Sequence, residues 1–267
     1  MFFPCDFLKE VILYKLNEQL LQQGHQQVAL WEYMRWLGIW MLLATTDGHQ
    51  RDDFWKTLTS QEDCRFEGAP FRLNDLLSKR RFNQILMYHQ TYEDNPPDYK
   101  DSFYPICKFI KAWNKNMKEN FVPSWVTCLD ESMSLWTNMF TCPGFVFCPR
   151  KPWETGNEYH TIACAKSNII FFGEIVEGKD CPPELPEQEY NNCGGKTVGL
   201  LLQMTQPIWN SGRVVILDSG FCVLQGLIEL AKMGLYASAL IKKEGTGQNM
   251  WRARKSNSSF RIKRLEV

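Results

Sequence analysis

The hydrophobic period of this chain changes near Pro123, and that change constrains the fold more than any other feature. Before it, apolar residues recur at helical spacing. Ile106, Phe109, Ile110, Trp113 and Met117 form one stripe in FYPICKFIKAWNKNMKEN, the mark of an amphipathic helix. RLNDLLSKRRFNQILMYHQTY (72–92) repeats the pattern and predicts a helix capped by Asn74. VALWEYMRWLGIWMLLA (28–44) is apolar but carries Glu32 and Arg35, so it predicts a buried amphipathic helix. It falls short of the ~18 uninterrupted apolar residues of a membrane span. The prolines of NPPDYKD (95–101) break the helical series.

After Pro123 the period is that of strands. SWVTCLD (124–130), FVFCPR (145–150), EYHTIACAK (158–166) and IIFFGEIVEG (169–178) are short runs rich in β-branched and aromatic residues. CPPELPEQEYNNCGG, with its prolines and glycines, predicts an exposed loop insertion over 179–195. KTVGLLLQMTQPIW predicts a helix ending before Pro207, and FCVLQGLIELAKMG a helix stopped by Gly234. RVVILD (213–218) and YASALI (236–241) are apolar enough to predict strands buried on both faces. The order of strands, helix, strand, helix, strand suits a mixed α/β sheet flanked by helices. Three segments follow: a helical region over 1–122, a mixed-sheet core over 123–241, and a basic tail over 242–267.

Charge and cysteine content exclude several classes. Thirty basic and thirty acidic residues cancel, so only local charge can point to a nucleic-acid partner. MFFPCDFLKE has neither the basic start nor the long apolar stretch of a secretory signal, and reads as a truncation edge. Ten cysteines without a leader predict reduced thiols inside a cell. They form no CxxC pair, and a zinc knuckle needs tight ligand pairs to close a tetrahedron. The sequon at Asn257 is idle in that compartment. GGKT (194–197) is not a phosphate loop, because Tyr190 stands where that motif requires glycine. No nucleotide cofactor is therefore expected. The four histidines are scattered and read as surface or core residues.

Asp130 and Asp218 carry the chemical signal. Each follows an apolar strand, Trp125–Leu129 and Arg213–Leu217. Carboxylates at the ends of neighbouring strands can converge, and they repel unless a cation neutralises them. Mg²⁺ takes hard oxygen ligands and keeps several waters, so two or three carboxylates suffice. A second reading stays open: Asp218 or Ser219 caps the following helix, and Asp130 is a turn residue.

SWVTCLDESM, CPRKPWETGNEYH, VVILDSGFCVLQGLIEL and, upstream, WLGIWMLLATTDGHQRDDFW with RRFNQILMYHQTYEDN stand in one order. In that order they resemble the piggyBac-type transposases, cut-and-paste DNA transposases with a ribonuclease H-like core. The resemblance spans about residues 28–245. It implies that Asp130 and Asp218 are the first and second of three catalytic, metal-binding aspartates, with Mg²⁺ as cofactor and DNA as partner. It also implies a helical N-terminal region of the dimerisation or DNA-binding kind. Glu131, Met133, Lys151 and Pro152 match motif positions without being metal ligands, and Lys151 is taken as a DNA contact. Ser219 departs from the family's usual Asn. The third aspartate should come well beyond the second, yet the 267 − 218 = 49 residues after Asp218 contain none. The family's cysteine-rich finger is missing too.

The chain thus reads as a truncated, transposase-derived remnant with an incomplete ribonuclease H-like sheet, not competent for cut-and-paste transposition. The alternative is a domesticated DNA- or protein-binding module. Between Lys242 and Arg264, eight basic residues (Lys242, Lys243, Arg252, Arg254, Lys255, Arg261, Lys263 and Arg264) face one acid, Glu244. With Trp251 and Phe260 interleaved, this segment is either a phosphate-tracking element or a solvated, disordered end. A homodimer, a nuclear location and no membrane association complete the expectations.

Overall fold

The computed structural model describes residues 3–46, 51–56, 73–89, 103–142, 144–149, 151–176 and 194–240. The loop expected over 179–195 (all but Gly194 and Gly195) and the basic tail lie outside them.

The first half is helical. Cys5–Phe7 (α1) runs through a π-helical stretch, Leu8–Leu13, into Tyr14–Gln22 (α2), and Leu30–Thr45 (α3) follows. Leu8, Ile12, Leu16 and Leu20 recur every four residues and are fully buried against Tyr33, Trp36 and Ile39 of α3. Asn17 clamps the chain before α3. Its amide donates to the Val28 carbonyl at 3.0 Å and accepts from the Val28 N–H at 2.6 Å.

The helix expected over 72–92 is two helices, Leu73–Leu76 (α4) and Lys79–Tyr88 (α5). Ser78 makes the break. Its extended backbone and hydroxyl, which accepts from Arg81 N–H at 3.3 Å, cap α5. Asn74 is no cap; it donates to the Trp55 carbonyl at 2.8 Å.

Tyr104–Asn120 (α6) joins the two halves of the fold. Phe109 packs on the helical core, whereas Trp113 and Met117 belong to the sheet's core. Asn114 locks α6 to the sheet, donating to the Gly173 carbonyl at 2.8 Å and accepting from its N–H at 3.0 Å.

The sheet comprises Val126–Leu135 (β1), Val146–Phe147 (β2), Thr155–Cys164 (β3), Ile170–Ile175 (β4), Val214–Leu217 (β5) and Tyr236–Ala239 (β6). Its order is β2-β3-β1-β5-β6, with β4 also on β3. β1 runs antiparallel to β3 and parallel to β5, and β5 runs parallel to β6. Lys196–Thr205 (α7) and Leu224–Lys232 (α8) supply Leu201, Met204 and Leu230 to the core against Leu129, Ile162, Val215 and Leu217. As expected, Gly234 ends the last helix. It takes φ +68°, and the following N–H of Leu235 reaches back to the Leu230 carbonyl at 3.0 Å.

Three strand expectations are corrected. β1 does not end at Asp130 but runs to Leu135, because the ten-residue β3 continues to pair it. β5 is buried on one face only, since Val215 and Leu217 are covered while Ile216 is 41% exposed. β6 is an edge strand with Tyr236 65% exposed, not a buried one.

Candidate metal centre

The register of two parallel strands builds the site. β1 and β5 pair from Val126↔Val214 through Leu129↔Leu217. Asp130 and Asp218 are the next residues after the two paired segments. Neighbouring strands lie about 4.8 Å apart, so the two aspartates leave the parallel pairing side by side. Both are exposed. The place is the carboxyl end of the β1–β5 parallel pairing, beyond which β1 continues against β3 alone.

The two then diverge. Asp130 stays in β1 opposite Thr161 of β3, and its Oδ1 accepts from the Glu131 N–H at 2.8 Å. Asp218 enters a turn in which its carbonyl accepts from Phe221 N–H at 3.1 Å. The capping reading fails here. α8 begins at Leu224, its N-cap is Val223, and no side chain caps it.

A second set of charges flanks Asp130. Lys151, in the turn between β2 and β3, donates from Nζ to Glu131 Oε1 and to the Glu131 carbonyl, each at 3.1 Å. Burial works against the charged Lys151 ammonium, but the bond to Glu131 and the charges of Glu131 and Asp130 outweigh it and raise its pKa. Glu158, on β3, has its carboxyl pKa pushed up by burial and then by the charge of Glu131, against a lowering pull from Lys151. His160 lies opposite Glu131, with Nε2 3.6 Å from Glu158 Oε1 and its ring edge-on to Phe221.

Sequence reading missed Glu158 and His160 as neighbours of the site. The register of β1 against β3 brings them there, and no local motif announces it. Lys151, expected to meet DNA, is engaged with Glu131. Lys242, Lys243, Arg252, Arg254 and Lys255 lie outside the described residues.

Asp130 and Asp218 suit a hard, largely hydrated divalent cation: two exposed carboxylates just past the end of the β1–β5 pairing supply oxygen donors and leave the other positions to water. Among the described residues no group of three or more His, Cys, Asp or Glu is placed to hold a metal. No helix among them is long and apolar enough to cross a membrane.

A family model described as Transposase IS4 matches residues 1–259. No curated protein matches the sequence. Among solved structures, the chain is similar to a cryo-EM structure of a piggyBac transposase synaptic complex with hairpin DNA, with a TM-score of 0.64 and 13% sequence identity. The match covers 92% of this chain and 52% of that one, so the chain spans about half the length of the transposase it matches. At that identity the likeness speaks for the fold, and it bears out the helical region followed by a ribonuclease H-like mixed sheet.

Proposed function

This chain belongs to the Transposase IS4 family, and from that premise we propose that it binds DNA and holds a divalent cation without completing cut-and-paste transposition on its own. The observation that carries the reading is the Leu129↔Leu217 register, after which Asp130 and Asp218 are the next residues. Asp130 and Asp218 would hold the cation, which when bound would offset their mutual repulsion and polarise a phosphodiester oxygen. The protein's own part is to fix the donors. The Asp130 carboxylate is oriented by the Glu131 N–H, and Asp218 by the turn that closes on Phe221.

These 267 residues carry no aspartate after Asp218. Two carboxylates orient an attacking water poorly and leave the departing oxygen without its own stabilising charge. That supports binding without strand transfer by these residues taken alone. The DNA partner is suggested by the hairpin DNA bound to the similar piggyBac transposase and by the basic residues Lys242, Lys243, Arg252, Arg254 and Lys255. Trp31 and Met41, large apolar side chains exposed on α3, support a helical region that meets a second copy of the chain. A nuclear location belongs to the same proposal.

The test pairs binding with cleavage. The protein, Asp130→Ala and Asp218→Ala would be mixed with labelled hairpin and duplex DNA in Mg²⁺ or Mn²⁺. The expected result is salt-dependent DNA binding by all three, Mn²⁺ binding by the parent alone, and no cleavage. Metal-dependent nicking lost in both variants would overturn the non-catalytic reading. DNA binding with no Mn²⁺ binding by any of them would leave a purely DNA-binding module.

A further inference from the structure

Lys151 is bonded to the Asp130-Glu131 segment of β1. Its ammonium holds both the side chain and the main-chain carbonyl of Glu131, at 3.1 Å each. That residue adjoins Asp130 and lies where β1 has lost its β5 partner, since the parallel pairing stops at Leu129. The turn bearing Lys151 is itself fixed, by Lys151 N–H to the Cys148 carbonyl at 3.1 Å and Cys148 N–H to the Glu154 carbonyl at 2.7 Å. Both partners of the ion pair are about three-quarters shielded from solvent, at 26% and 28% exposure. A surface lysine in a loose pair would show neither the double bond nor the anchored turn.

Three carboxylates, Asp130, Glu131 and Glu158, come from two paired strands within the field of this single ammonium. Glu131 and Glu158 share one face of the sheet and Asp130 the other, so Lys151 bonds on the Glu131 face and acts on Asp130 through its field. We propose that Lys151 is a built-in counter-cation: it holds the Asp130-bearing segment of β1 in place when no divalent ion is bound, and its charge weakens the binding of one. The inference rests on the reading of Asp130 and Asp218 as cation ligands. Lys151 is a positioning residue in this role, because it acts through Glu131 and through the field at Asp130.

The sign of the effect separates this role from simple packing. Loss of a structural lysine would loosen the site and weaken cation binding. Loss of a competing charge strengthens it. Lys151→Met keeps the length of the side chain and removes the charge, whereas Lys151→Arg keeps the charge.

Mn²⁺ affinity would be measured by electron paramagnetic resonance, and thermal unfolding in EDTA and in Mg²⁺, on the full chain. Lys151→Met should bind Mn²⁺ roughly threefold to tenfold more tightly than the parent, the range expected for one charge acting at partly solvated distance. It should also melt at a lower temperature in EDTA and recover in Mg²⁺. Lys151→Arg should match the parent in both. Equal or weaker Mn²⁺ binding by Lys151→Met, with parent binding intact and lost in Asp130→Ala, would overturn the inference and leave the cation site standing. Tightening by Lys151→Arg as large as that by Lys151→Met would overturn it as well, since charge would not be the cause. Absence of Mn²⁺ binding in the parent and in both Lys151 variants would overturn the cation site and this inference together.

Discussion

The two cores of this molecule are built on different terms. The helical core is built on buried aromatic rings whose polar groups are bonded within it. Phe82 touches Trp36, Trp40 and Trp55, and the indoles of Trp36 and Trp55 donate to the carbonyls of Phe82 and Leu77. Arg81 then ties α5 to the start of α3. It bonds both oxygens of Glu32, at 2.8 and 3.1 Å, and the carbonyls of Gln26 and Gln27. On β1 and β5 the sheet core buries alternate residues. Leu129, Val215 and Leu217 are covered, while Ile216 and Tyr236 meet solvent and Asp130 and Asp218 are exposed just past the β1–β5 pairing. Stability is concentrated where polar groups are satisfied inside the core. The candidate chemistry stands where carboxylates are exposed to solvent.

The largest test of that contrast is Phe82→Ala. The ring is fully buried at the centre of the aromatic cluster, and its loss should cost about 3–5 kcal/mol in chemical denaturation. Glycine at 156 gives the sheet a comparable weak point. Gly156 has φ +150°, and a Cβ there would meet the Ser134 carbonyl oxygen. Gly156→Ala should therefore disrupt the end of the β1–β3 pairing, seen as faster amide exchange at Ser134 and Leu135. Exchange unchanged there would mean that the two strands separate freely.

Arg81→Met comes next. It leaves Glu32 without its partner in a mostly shielded position, and about 3 kcal/mol should be lost. Arg81→Lys should recover only part of it, because a point charge cannot reproduce the two-pronged bond.

A smaller effect depends on pH. Burial lowers the pKa of His89, whose Nε2 is hydrogen-bonded to the Tyr33 hydroxyl at 2.7 Å. The unfolded histidine, near its ordinary value of about 6.5, takes a proton before the folded one does. Stability from this group is complete above that value and is lost as pH falls toward the depressed folded pKa. Melting temperature should drop between pH 7.5 and 5.5, and His89→Gln should flatten the drop.

The smallest expected change is Ile216→Thr, which keeps a strand-compatible shape on the open face. It should alter stability by no more than about 0.5 kcal/mol, as surface substitutions do. A loss above about 1 kcal/mol would mean that the face is covered in solution, and the contrast between the two cores would fail.

Local chemistry in the sequence determined the element types, because helical stripes and strand runs depend on neighbours along the chain. It placed α3, α6, the last helix with its Gly234 stop, and the strands beside Asp130 and Asp218. It also supplied the motif order from which the transposase family was recognised. It misread the break at Ser78, because Asn74 and Ser78 are both good caps and only packing shows which one is occupied elsewhere. It stopped β1 at Asp130, because a polar Asp-Glu pair resembles a turn when β3 is out of view. It buried β5 and β6 on both faces, because apolar runs do not reveal whether a helix covers each side. Tertiary structure alone decided the parallel register that sets Asp130 beside Asp218, and the pairing that brings Glu158, His160 and Lys151 around Glu131. Those contacts span up to 88 residues of chain, the separation of Asp130 from Asp218 (218 − 130). Register at that range is set by which face of each strand can be buried, and not by any residue's immediate neighbours.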